Sequence, residues 1–241
     1  MKEQLYTIPV NDAYAVDCEC PICVMYNQLE KDAIEFTMGP SYMEDDVRLV
    51  TDEIGFCTKH MAQVMNAGNR LGAALVLHTH MRKINKDVEK LAATGAKASG
   101  GLFKKKESSP LVEYLKKLNE SCYVCDKIEN TFNRYIKTIH YLWEKDSAFK
   151  NKYLSSKGMC VRHYQVLIEQ APANMSGKNL DEFLEATHKL YLDNMNRVAD
   201  DLEWFTDKFD YRYKDEPWKN SKDALPRSIN KLTSDRTFIE E

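Results

Sequence analysis

Cys20-Pro21-Ile22-Cys23 is followed by Gly55-Phe56-Cys57-Thr58-Lys59-His60, and Cys122-Tyr123-Val124-Cys125 is followed by Gly158-Met159-Cys160-Val161-Arg162-His163. Each pair of stretches reads C-x2-C, a long insert, then G-x-C-x2-H. The inserts between the inner cysteines are 33 and 34 residues long. Three thiolates and one imidazole make a closed tetrahedral site for Zn²⁺. The duplicated spacing therefore predicts two Cys3His metal sites, one in each copy. Cys20, Cys23, Cys57 and His60 are the expected ligands of the first, and Cys122, Cys125, Cys160 and His163 of the second, with two zinc ions in all.

Disulfides are the first competitor. Seven cysteines is an odd number, and Met1-Lys2-Glu3-Gln4 opens no apolar signal segment, so the expectation is a cytoplasmic chain with reduced thiols. A thioredoxin-like pair at Cys20/Cys23 would need a preceding strand, and it would leave both C-x2-H stretches without a purpose. Iron–sulfur chemistry is the alternative cofactor, disfavoured by one histidine in each set. Cys18 offers the first site a fifth thiol that has no counterpart in the second copy.

Around these motifs the pattern is helical. Ile22, Met25, Tyr26, Leu29 and Ile34 recur at helical spacing until Met38-Gly39-Pro40 ends the run. Val124, Ile128, Phe132, Tyr135, Ile136, Ile139 and Leu142 form a longer stripe, Leu111, Leu115 and Leu118 a shorter one, and Leu180, Leu184, Tyr191, Met195, Val198, Leu202 and Phe205 a near-heptad seam. Leu71–Leu77 reads as buried helix. The fold class expected is all-α, two tandem metal-stapled helical repeats packed as a bundle. A Gly/Ser/Lys-rich segment gives the boundaries: residues 1–93 for the first repeat, 94–110 for a flexible linker, 111–213 for the second repeat, and 214–241 for a polar, extended tail that Trp218 and Phe238 could pin.

The chain has 241 residues, 43% hydrophobic and 29% charged, with a net charge of −3. These proportions are ordinary for a globular protein. The acidic balance argues against a nucleic-acid partner, whose only support is Arg134, Lys137, Lys150 and Lys152. The longest apolar run is too short to cross a bilayer, so no membrane association is expected.

Three further features stand near the motifs. Thr79-His80 and Thr187-His188 follow the two C-x2-H stretches and could be equivalent positions, as outer partners or substitute ligands. Glu44, Asp45, Asp46 and Arg48, then Asn66, Asn69 and Arg70, are polar residues found only in the first copy. An N-cap and solvated turn account for them, and a binding surface is the functional alternative.

The combination of Cys-Glu-Cys-Pro-Ile-Cys, Met-Glu-Asp-Asp-Val-Arg, Gly-Phe-Cys-Thr-Lys-His and Asn-Arg-Leu-Gly resembles an uncharacterised family of bacterial cytoplasmic proteins over about residues 10 to 213. The resemblance implies a bacterial, intracellular, all-helical protein and no activity. No catalytic motif is present. The function expected is a zinc-binding scaffold for an unknown protein or small ligand. The alternative is a redox or hydrolytic metalloenzyme using an iron–sulfur or open zinc site in the first repeat.

Overall fold

A computed structural model describes residues 5–95 and 109–235, and its regular structure among these residues is entirely helical. The helices are α1 (Thr7–Ala13), α2 (Pro21–Met38), α3 (Asp45–Ile54), α4 (Thr58–Asn66), α5 (Arg70–Gly95), α6 (Pro110–Glu120), α7 (Tyr123–Lys145), α8 (Ser147–Ser155), α9 (Val161–Asn174), α10 (Gly177–Asp207) and α11 (Ala224–Thr233). α2 ends where expected, its Gly39 N–H bonded to the Glu35 carbonyl before a 3-10 turn at Pro40–Met43. Most of the expected linker, including Lys104–Lys106, lies outside the described residues, as does Phe238.

The chain divides into two compact units that do not follow the expected boundary. Unit 1 is Met1–Gln28 with Thr131–Glu241, and unit 2 is Leu29–Asn130. The chain passes from one to the other inside α2 and again inside α7, so each of these helices contributes its first turns to one core and its later turns to the other.

Unit 1 is organised around aromatic rings. Tyr153, Phe149 and Phe183 are fully buried; Tyr14 stacks on Tyr153, and Trp143 meets Tyr153 and Phe183 edge-on. The buried face of α10 is Phe183, Thr187, Leu190 and Val198. The near-heptad seam read from the sequence shares only Val198 with it, and the buried Thr187 meets the Tyr153 hydroxyl at 2.9 Å. α11 packs on α9 and α10, so part of the tail expected to be extended or partly disordered, Ala224–Thr233, forms a helix. Its buried side is Ala224, Arg227, Ser228, Asn230 and Lys231, while Leu225 and Leu232 are exposed.

In unit 2, α3 packs along α5, which also carries α6 and contacts α4. Within the Leu71–Leu77 stretch, Ala73 and Val76 are buried and Leu71 faces solvent.

Candidate metal centres

Each ligand pair sits on the first turn of a helix. The carbonyls of Cys20, Cys57, Cys122 and Cys160 accept the opening N–H bonds of α2, α4, α7 and α9, from Val24, Met61, Asp126 and Tyr164. The second ligand of each pair follows three residues later, on the same face of that turn. Each pair thus stands at the positive end of a helix dipole, which favours thiolates, and Cys122 also receives backbone N–H bonds from Cys57 and Cys125. The glycine of each G-x-C is required by the turn before the second helix: Gly55 has φ +61° and Gly158 φ +75°, a region that side chains rarely enter. The Gly55 carbonyl also accepts the Tyr123 N–H at 2.9 Å, and Ser121 Oγ donates to the Ile54 carbonyl at 2.7 Å. The first-copy turn thereby holds the second-copy C-x2-C loop.

The eight residues converge in two groups of four, but not in the grouping expected. Cys20 and Cys23 meet Cys160 and His163 in unit 1; Cys57 and His60 meet Cys122 and Cys125 in unit 2. Every cluster takes its C-x2-C from one copy and its C-x2-H from the other. His60, in the first turn of α4, meets Glu30, which stands ten residues or about 15 Å along the helix from Cys20. In the second copy α7 has 23 residues and α8 has 9, and His163 meets Phe132 in the middle of α7.

In unit 1 the Cys160 sulfur lies 3.8 Å from that of Cys20 and 3.7 Å from that of Cys23. His163 Nδ1 is 3.4, 3.3 and 3.2 Å from Cys20, Cys23 and Cys160. In unit 2, His60 Nδ1 is 3.3, 3.1 and 3.4 Å from Cys57, Cys122 and Cys125. Tetrahedral zinc with Zn–S of about 2.3 Å and Zn–N of about 2.0 Å would separate sulfurs by about 3.8 Å and sulfur from nitrogen by about 3.5 Å. The clusters fit one such ion each with a small expansion around the imidazole nitrogen.

Protons are shared unequally within the clusters. Hydrogen bonds from Cys20 and Cys23, joined by that to His163, hold the Cys160 thiol far below its ordinary range against the effect of burial. Burial and the bond to Cys160 push Cys20 up; the bond to Cys160 pushes Cys23 up to about 12. In unit 2 burial opposes ionisation of Cys122, yet the bond to His60 and backbone N–H donors bring it down to about 6, while burial and the neighbouring Cys122 charge push Cys125 up to about 12. Cys160 in unit 1 and Cys122 in unit 2 are thus favoured as the anion, while Cys20, Cys23 and Cys125 are pushed towards the protonated form. A divalent cation removes that conflict by replacing the protons.

Glu30 on α2 is an outer partner that the sequence reading did not single out. His60 Nε2–H donates to Glu30 Oε1 at 2.8 Å, which leaves Nδ1 facing the sulfurs; Lys59 Nζ lies 2.7 Å from the same oxygen and Gln63 Nε2 donates to the other at 2.8 Å. Burial penalises the Glu30 carboxylate, but these donors bring it down to about 2; His60, penalised likewise, is carried up to about 9 by Cys122 and Glu30. The signal that could have found Glu30 is its place ten residues after Cys20, matching Phe132 ten after Cys122.

The remaining candidates stay outside the clusters. His80 is buried with Nδ1 2.8 Å from the Asp52 carbonyl, whereas His188 is exposed with Nδ1 2.6 Å from the Tyr164 hydroxyl. They are not equivalent positions. Cys18 joins neither group. Glu44, Asp45 and Asp46 are exposed at the start of α3, Asn69 links the Gly72 N–H to the Met38 carbonyl, and Arg48 donates to Thr79 at 3.0 Å.

An all-α protein with two crossed Cys3His clusters is the class that this arrangement defines. The chain belongs to the family of unknown function DUF6062, whose pattern matches residues 1–238. No curated protein and no solved structure matches it.

Proposed function

We propose that each cluster holds one zinc ion and that the protein is a cytoplasmic, bacterial helical scaffold whose surface binds a protein partner or small ligand. The crossed convergence of eight ligands at near-tetrahedral spacing carries this reading. Four protein donors saturate a zinc ion, and structural sites are closed in this way, whereas catalytic sites keep a position for water. All seven cysteines are free of disulfides, in keeping with a reducing compartment. Ligand atoms within 4.8 Å of one another suit one ion better than an iron–sulfur cluster, whose ligands bind different irons. The four basic residues that could serve a nucleic acid include several with partners in their own unit: Arg134 donates to the Tyr6 hydroxyl, Lys152 to Asn11, and Lys150 lies over the Trp143 ring. Among the described residues no helix is long and apolar enough to cross a membrane.

Metal analysis and an absorption spectrum of anaerobically purified protein test the reading. Two zinc ions per chain and no visible band are expected. A brown protein containing iron and sulfide would replace zinc with redox chemistry.

A further inference from the structure

The two clusters share a ligand set but differ in what surrounds it. In unit 1 all four ligands are buried. α11 reaches their sulfurs: the Ser234 hydroxyl just beyond it lies 3.1 Å from Cys160 Sγ, and the Asn230 amide donates to Cys23 Sγ at 3.8 Å. The same helix is anchored by Lys231, whose buried ammonium donates to the carbonyls of Glu19 and Lys157 at 2.8 and 2.5 Å. In unit 2, Cys57 and Cys125 are partly exposed.

The imidazoles are backed differently as well. Ten residues into α2 stands Glu30, bonded to His60; ten residues after Cys122 stands Phe132, whose ring centre is 5.6 Å from that of His163. A carboxylate behind a ligating histidine fixes its tautomer and raises its basicity. A phenyl ring does neither.

We propose that the unit 2 cluster is an exchange site, which takes up and releases its zinc ion by ligand exchange with thiol or chelator donors in solution, while the unit 1 cluster keeps its ion as a permanent staple. The proposal rests on the zinc reading above. An incoming donor must approach the ion and expand its coordination before a ligand leaves. At the partly exposed Cys57 and Cys125 solvent gives that approach; the departing thiolate takes up, through solvent, the proton that the incoming donor loses on binding, and no electron is transferred. Glu30 is the positioning residue: it holds His60 Nδ1 towards the ion while the partly buried Cys57 and Cys125 let go. In unit 1 a departing sulfur would have to leave the contacts made by Asn230 and Ser234.

The test mixes the zinc-loaded full chain with excess chromogenic zinc chelator and a thiol-alkylating reagent, following released zinc by absorbance and labelled cysteines by mass spectrometry. Two phases of equal amplitude are expected, with label on Cys57, Cys122 and Cys125 in the fast phase and on Cys20, Cys23 and Cys160 in the slow one. Glu30→Ala should weaken the fast site about 10- to 100-fold, the range for lost outer partners, and leave the slow site unchanged. Glu30→Gln, whose carbonyl still accepts from Nε2–H, should recover part of that loss. A single phase releasing both ions, or label arriving first on Cys20 or Cys160, overturns the proposal while leaving the zinc reading intact. A chain that holds and takes up no zinc overturns the zinc reading itself.

Discussion

Cys23 and Cys160 are 137 residues apart in the chain, and their sulfurs are 3.7 Å apart. The first C-x2-C therefore belongs with the last C-x2-H, and paired substitutions discriminate between the crossed arrangement and one site per copy. After dialysis against a mild chelator, Cys20→Ser/Cys160→Ser should retain one metal ion per chain and Cys20→Ser/Cys57→Ser none. One site per copy predicts the reverse, so metal analysis of the two double variants decides the matter.

On the proposed reading each ion joins two helix N-termini, so removing both metals should cost substantial structure. Structural zinc in small finger peptides contributes an apparent ~10–16 kcal/mol. Even a loss of about 3 kcal/mol would lower Tm by roughly 6–12 °C for a chain of this size. Thermal unfolding followed by circular dichroism, with and without verified metal removal, measures it. An unchanged Tm would mean that the fold does not need the metal.

Gly55 leaves room for a histidine. A Cβ on it would lie 2.3 Å from His80 Nε2, and its φ of +61° is one that side chains rarely adopt. Gly55→Ala should destabilise by about 1–3 kcal/mol from backbone strain, with the ring clash adding to it. At Gly158 the nearest atom is the Leu190 carbonyl oxygen at 3.2 Å, so Gly158→Ala should cost less. Denaturant unfolding compares the two, and Gly55→Ala/His80→Ala should recover the part of the loss that comes from the clash.

His140 gives a pH dependence separate from the clusters. It is fully buried, with Nε2 3.1 Å from the Leu167 carbonyl and the Phe183 ring edge-on to it. Burial brings its pKa down to about 4, below the unfolded value of about 6.5. The unfolded chain then binds the proton more readily. The contribution is complete above about pH 6.5, falls as pH drops, and is lost by about pH 4, at most about 3 kcal/mol. Urea unfolding across this window should show a smaller pH slope in His140→Gln than in the wild type; equal slopes would exclude the histidine as their source.

The helices and the eight residues that converge were legible in the sequence, since 3.6-residue spacing marks α2 and α7 and the duplicated C-x2-C and C-x2-H stretches mark the eight Cys and His side chains. The partition was not, because spacing along the chain does not say which pair meets which. That information lies in where each returning chain arrives: His60 meets Glu30 and His163 meets Phe132, each ten residues past the first cysteine of its C-x2-C helix. α11 escaped notice for a different reason. It buries Arg227, Ser228, Asn230 and Lys231 and exposes Leu225 and Leu232, the inverse of the pattern that reveals a core-facing helix. Ionic partners account for the inversion: Arg227 pairs with Asp201 at 2.9 Å, and Lys231 with Glu19 at 3.3 Å.

The crossing also sets a timetable for synthesis. Chains emerge N-terminus first at about 5–20 residues per second, so Cys23 leaves the ribosome roughly 7–27 seconds before Cys160, 137 residues behind it. During that interval the next Cys/His motif to emerge is that of Cys57 and His60, which belong to the other cluster. On the proposed zinc reading, an ion captured early by Cys20, Cys23, Cys57 and His60 would hold His60 at the start of α2, away from its place beside Glu30, and would have to be surrendered before the mature pairing could form. That reading thus exposes the nascent chain to a mispairing hazard of the kind known from disulfide shuffling, with a metal in the place of the covalent bond.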